Sequence, residues 1–290
     1  MALRRAVARL LGALTTCGLA AGFAAVEAPA AHAAGSNDLS ITANEYSYEV
    51  KGRPKAGLTK INFENSGDEY HVLAMVILKP EVTKKQLRAA LVSTDENALA
   101  NLQLQSGSIV PRPGLLGPGE TASVLTNLPA GHYGAYDYLA NTDGELNYEQ
   151  GMVTTFDVAP GESTLTPPER GLLQIDISDQ RISLGSKGAK NGWAMITNSS
   201  SANRSLVLAK YLKDNANFRT ADAYFNAYFG GGTDAEAPAV ITGSADGLIP
   251  GSTTYVQFRF DEARYLLVSV NQDVDDDPGE LHFDFKLQSE

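Results

Sequence analysis

Alternation of apolar and polar residues sets in at Asp38. Leu39, Ile41 and Ala43 face one way between polar neighbours, and Tyr46, Tyr48 and Val50 continue the period-two rhythm of a strand. Gly57 marks a turn, after which Ile61 and Phe63 alternate up to the turn cluster Asn65-Ser66-Gly67-Asp68. His71 opens the next predicted strand, whose run from Val72 to Leu78 is apolar enough for a central position and stops at Pro80. Residues 82–102 change character. Lys84 to Leu91 favour helix, and Thr94-Asp95-Glu96 reads as the N-cap region of a second short helix through Leu102. Strand spacing returns after Pro118-Gly119-Glu120-Thr121 with Val124 and Leu128, then in Gly131–Tyr138 and in Val153–Val158. The stretch 159–171 holds Pro160, Gly161, Pro167 and Pro168 and reads as a linker.

The pattern then repeats. Ile41 corresponds to Ile175, and Ile61-Asn62-Phe63-Glu64-Asn65 to Ala194-Met195-Ile196-Thr197-Asn198. His71-Val72-Leu73-Ala74 corresponds to Arg204-Ser205-Leu206-Val207, and Leu116-Gly117-Pro118-Gly119 to Leu248-Ile249-Pro250-Gly251. Each Pro-Gly turn is followed at the same distance by a tyrosine, Tyr133 or Tyr265. A helical insert, Thr220 to Phe229, stands where the first copy has its helices. Two copies of one β-domain are expected. They differ where chemistry would sit: Arg204 replaces His71, Ser269 replaces Asp137, and the second copy's closing loop is shorter with no Gly-Met element.

Composition fits a folded β protein, with 43% hydrophobic and 20% charged residues, 27 glycines and 13 prolines among 290 residues. The first 33 residues are different: Arg4, Arg5 and Arg9, an Ala/Leu-rich run, and Ala31-His32-Ala33, the layout of a cleaved signal peptide. Arg4-Arg5 leaves a twin-arginine route open beside the general one. The single cysteine, Cys17, lies inside this segment, so the mature chain has no thiol and no disulfide. The net charge is −11 and becomes more negative when the leader is removed. That argues against nucleic acid and anionic membranes as partners. No later run is long and apolar enough for a transmembrane segment in the mature chain.

Candidate chemistry concentrates in Gly131–Met152, where a strand ends at Asp137, a loop turns at Asp143-Gly144, and Asn147 precedes Gly151-Met152 by a few residues. On these spacings residues 38–158 resemble the cupredoxin superfamily of plastocyanin- and azurin-like proteins, with a fainter echo over 172–288. The resemblance implies four ligand positions: His71 for the first histidine, Asp137 where the family has cysteine, Asn147 for the second histidine, and Met152 for the methionine. A blue-copper site needs a thiolate and two imidazoles with a long axial methionine. Two substituted positions therefore predict that type 1 copper chemistry is lost and no cofactor is bound. The alternative is copper held by an unusual His71, Asp137 and Met152 set.

Other signals are weaker. Tyr133 suits the tyrosine-corner role of β-sandwiches, while Tyr136, Tyr138 and Tyr148 are candidates for an interaction surface. Asp273 to Glu280 reads as a solvated acidic turn rather than a calcium loop. Ser244 in Gly243-Ser244-Ala245-Asp246-Gly247 sits one place early for a nucleophile elbow, and His132 and His282 lack an evident acidic or nucleophilic partner in a motif. The reading is an all-β chain of two tandem cupredoxin-like Greek-key β-sandwiches, each with a short helical insert. Its expected layout is a signal peptide over 1–33, domains over 38–158 and 172–288, and a linker over 159–171. The expected role is that of a secreted, non-catalytic binding or structural protein, not an enzyme, with a protein or cell-envelope partner.

Overall fold

The computed structural model describes residues 37–104, 110–185, 192–230, 232–272 and 280–286. The expected signal peptide with Cys17, and all but Glu280 of the acidic turn, lie outside the described residues. In the first half the strands are β1 (Asp38–Asn44), β2 (Ser47–Lys51), β3 (Gly57–Asn65), β4 (His71–Val72), β5 (Ala74–Leu78), β6 (Arg112–Pro113), β7 (Leu115–Leu116), β8 (Thr121–Leu128), β9 (Gly131–Tyr136) and β10 (Val153–Val158). Its helices are α1 (Lys84–Leu91), α2 (Ala98–Leu102) and the single turn α3 (Asn147–Gln150). The second half has β11 (Leu173–Ile177), β12 (Ile182–Leu184), β13 (Trp193–Asn198), β14 (Arg204–Tyr211), helix α4 (Phe218–Phe229), β15 (Ala239–Leu248), β16 (Thr253–Gln257), β17 (Arg264–Asn271) and β18 (Leu281–Lys286).

Local sequence explains most of these elements. β1 alternates buried Leu39, Ile41 and Ala43 with half-exposed neighbours. Thr83 and Gln86 close a capping box on α1, which buries Leu87. Asn217 and Thr220 do the same for α4, which buries Ala221 and Phe225. The second predicted helix is shorter than expected. Ser93 and Asp95 accept backbone hydrogen bonds from Asp95 and Asn97 and hold a turn, so α2 begins only at Ala98. The expected linker is not free of the first half: Ala159 pairs with Lys55, and Ser163 bonds to the backbone of Ala56 and Leu58.

The repeat is exact at two buried polar positions. Asn65 Nδ2 donates to the carbonyls of Glu69 (2.7 Å) and Leu116 (3.1 Å), and its Oδ1 accepts from Gly67 N (2.9 Å). Asn198 makes the same set with Ala202 (2.9 Å), Leu248 (2.7 Å) and Ser200 N (3.0 Å). Both tyrosine corners form, with Tyr133 donating to the carbonyl of Pro129 at 2.8 Å and Tyr265 to that of Asp261 at 3.3 Å. Tyr133 stacks on Phe156, and Tyr265 on Phe285. Register pairs Tyr265 with Phe285 as it pairs Tyr133 with Phe156.

The halves are fused sheet to sheet. One layer is an eight-stranded sheet in the order β12-β11-β13-β16-β8-β3-β1-β2, joined at the antiparallel pair β8 and β16. In that pair Val124 faces its own counterpart Val256, with Ser123 opposite Gln257 and Leu125 opposite Tyr255. The other layer crosses at β6 and β15, where Pro113 faces its counterpart Ala245. Equivalent residues meeting in both layers define an internal pseudo-twofold axis, the isologous geometry of a symmetric dimer. Symmetry breaks beside the axis. Gly114 is the counterpart of Asp246, and a Cβ there would lie 2.5 Å from Asp246 Oδ2, so one carboxylate fits and two do not. Asp246 is buried, facing Arg112 Nη2 at 3.9 Å; burial pushes its carboxyl up, while Arg112 and Ser205 pull it back.

Apolar packing also crosses the junction. Tyr70, Val72, Leu115 and Leu139 of the first half share a core with Phe225, Ile241 and Val268 of the second. The Tyr70 ring stands edge-on to Phe225 (6.0 Å), Tyr228 (5.1 Å) and Phe229 (5.5 Å) of α4. The chain from residue 34 is therefore expected to unfold in one calorimetric transition, and Tyr70→Ala to lower its urea stability by about 3 kcal/mol. Two resolved transitions would contradict the shared core. Asn65→Ala and Asn198→Ala should each remove about 2–3 kcal/mol by leaving three buried backbone groups unpaired, measured by the same denaturation; a cost at one position alone would break the equivalence.

Candidate functional site

The closing hairpin of the first half is a ring of backbone bonds around one carboxylate. Asp137 follows β9, and its amide donates to the Met152 carbonyl (3.1 Å) while Met152 N donates to Asn147 O (3.0 Å). Asn147 N donates to Leu139 O (2.8 Å), and Tyr148 N to Asp137 O (2.9 Å). Gly151, at φ 120°, ends the α3 turn in a conformation that a side chain would strain. These bonds set Asp137, Asn147 and Met152 side by side. β4 brings His71 against them from another strand.

Asp137 Oδ2 collects three N–H groups: His71 Nδ1 at 2.8 Å, Asn147 Nδ2 at 3.1 Å and the Val72 amide at 3.4 Å. Its other oxygen accepts from Leu139 N at 2.8 Å. His71, Asp137, Asn147 and Met152 are all sealed from solvent, none more than 1% exposed. Burial pushes the Asp137 carboxyl above its ordinary range, and the bonds from His71, Leu139 and Asn147 pull it part of the way back. The opposite amide orientation of Asn147 would set two oxygens against each other, so the donors fix it. Met152 is locked by its backbone and lies in the core with Phe63, Tyr48 and Ala135.

Type 1 copper, which the resemblance implies, does not fit this donor set. It asks for a thiolate and two imidazoles. Here a carboxylate and an amide stand at two of those positions, and His71 Nδ1 and Asn147 Nδ2 both bond the Asp137 oxygen. Among the described residues no group of three or more His, Cys, Asp or Glu side chains is placed to hold a metal ion.

Several contributors had no sequence signal. The Tyr48 hydroxyl donates to the Val72 carbonyl, and Arg112 Nε donates to the Leu73 carbonyl at 2.9 Å, so both brace β4 beside His71. Tyr136 is not on the surface. It is 3% exposed, packed in the core with Ala74, Leu87 and Val153 beneath α1, and burial pushes its hydroxyl up to about 12. Tyr138 and Tyr148 are half-buried against the same cluster. The tyrosine surface expected from the sequence is therefore mostly interior. Among the described residues of the second half, Arg204 Nε turns to Ser200 Oγ at 3.2 Å and Ser269 stands in place of the carboxylate. His132, expected to stand alone, bridges Asp157 and the Val82 carbonyl.

No family model matches the chain, and no curated protein matches it. Among solved structures it is similar to reduced auracyanin from the photosynthetic bacterium Roseiflexus castenholzii, at 23% identity over 44% of this chain and 100% of that one, with a TM-score of 0.30. A multicopper oxidase shares 12% identity over 85% of this chain and 87% of its own, at a TM-score of 0.23. A laccase from Pediococcus acidilactici shares 9% over 88% of this chain and 61% of its own, at 0.26. Two of these are enzymes, so the expectation that this chain is not an enzyme is corrected and not carried forward. They assign no particular activity to this chain. Among the described residues no helix is long and apolar enough to cross a membrane.

Asp137→Asn should lower stability by about 2–3 kcal/mol, because an amide whose oxygen still accepts from His71, Val72 and Asn147 sets its own N–H against the Leu139 N–H. Urea denaturation checks it, and a loss below about 1 kcal/mol would remove the carboxylate from the centre of the site. Strand order, register, the tyrosine corners and the closing hairpin of the first half together make the chain cupredoxin-like in fold.

Proposed function

We propose that the chain is an exported binding or structural protein of the cell exterior in which the Asp137 cluster has replaced type 1 copper chemistry. The observation that carries this reading is the convergence of three N–H groups on Asp137 Oδ2, where a metal centre would need lone pairs. The basic, then apolar, first 33 residues support export, and the acidic remainder supports a partner other than nucleic acid. What the first half leaves exposed at its hairpin end is Thr142–Glu145, Glu149 and Gln150, with Tyr46 on the neighbouring turn. That rim is the surface a protein or cell-envelope partner would meet.

Cu(II) titration of the chain from residue 34, beside His71→Ala, separates this reading from the copper alternative. The expected outcome is weak binding, the same in both proteins and without a fixed stoichiometry. Equimolar uptake that disappears in His71→Ala would overturn the proposal and establish a site at His71, Asp137 and Met152.

A further inference from the structure

Two buried acceptors face one another across Gly67. His71 Nδ1 donates to the Asp137 carboxylate, and in the neutral ring Nε2 then carries the lone pair. That Nε2 is buried without a hydrogen-bond partner in the protein, and so is Glu45 Oε2. The other oxygen of Glu45 is engaged, accepting from the Asp68 amide at 2.6 Å. A methyl carbon on Gly67 would lie 2.8 Å from His71 Nε2 and 2.6 Å from Glu45 Oε2. The two acceptors are therefore no more than two hydrogen-bond lengths apart, and no direct hydrogen bond joins them.

Two lone pairs this close repel unless something electropositive lies between them. Two protein donors are fewer than a transition-metal site takes, and among the described residues no group of three His, Cys, Asp or Glu is placed to hold one. One water molecule donating a hydrogen to each, at about 2.8 Å per contact, spans the separation. Two acceptors also satisfy the lower bound of polar partners for a buried water.

We propose that Glu45, Gly67 and His71 form a binding site for a single water molecule, which donates to Glu45 Oε2 and His71 Nε2. The water completes a continuous chain from the Asp68 amide through Glu45 and His71 to Asp137 and Asn147. It ties the turn between β1 and β2 to the carboxylate at the heart of the hairpin. Gly67 is the residue that makes room: any side chain there would collide with both acceptors.

A high-resolution crystal structure of the chain from residue 34 tests this directly. The expected result is an ordered water within hydrogen-bond distance of both atoms. A direct bond between Glu45 and His71, an anomalous scatterer between them, or separated atoms with no density would each overturn the proposal. In solution, the His71 ring hydrogens should show magnetic cross-relaxation with a long-lived water, lost in Gly67→Ala and in Glu45→Ala. Should Gly67→Ala fail to fold, Glu45→Ala carries the test, since the Glu45 side chain lies at the turn, outside the core. An unchanged signal in Glu45→Ala, or none in the parent protein, would sink the site.

Discussion

Everything else in this molecule depends on the junction at Val124–Val256 and Pro113–Ala245. Backbone pairing runs through both layers at one pseudo-twofold axis, so neither half presents a free sheet edge there. An edge strand left open costs its unpaired amides and carbonyls, and each half supplies what the other lacks. The same axis permits one charged side chain and forbids its twin. Asp246 occupies the space beside Gly114, and Arg112 crosses to meet it while also holding the Leu73 carbonyl.

That junction sets the second half's role. Its helix α4 lies over Tyr70 and shares a core with Val72 and Leu139, which flank the cluster of the first half in sequence. The second half thus covers Tyr70, Val72 and Leu139 of the first. Beneath the cover, Asp137 does with hydrogen bonds what a cation would do with coordinate bonds. It draws β4, the loop at Leu139 and the turn at Asn147 to one point. The signs are reversed: the centre is an anion, and the surrounding groups offer hydrogens.

Legibility in the sequence followed physical periodicity. β1, β3, β8 and β10 were readable because one face of each is apolar and the other wet. α1 was readable because its cap and its helix formers are local. β15, ten residues long, was not, because its buried positions include Thr242, Gly243, Ser244 and Asp246, which look like a polar loop. Gly243 is there for space, since a Cβ would meet the Phe258 ring at 2.4 Å. Tyr136 misled for the opposite reason: a tyrosine in a strand looks the same whether α1 covers it or not.

The sequence by itself determined the duplicated strand pattern, the tyrosine corners, the spacing of the closing hairpin and the identity of the four residues at its ligand positions. Those follow from local rules, alternation, turn chemistry and repeat, which act within a few residues. Only the tertiary structure decided what the four residues do together. Whether a carboxylate serves a metal or a hydrogen-bond cluster depends on which atoms point at it, and His71 is brought there by a different strand. Only the tertiary structure, too, joined the halves edge to edge, because pairing across an axis is a property of two surfaces meeting and leaves no period in either one.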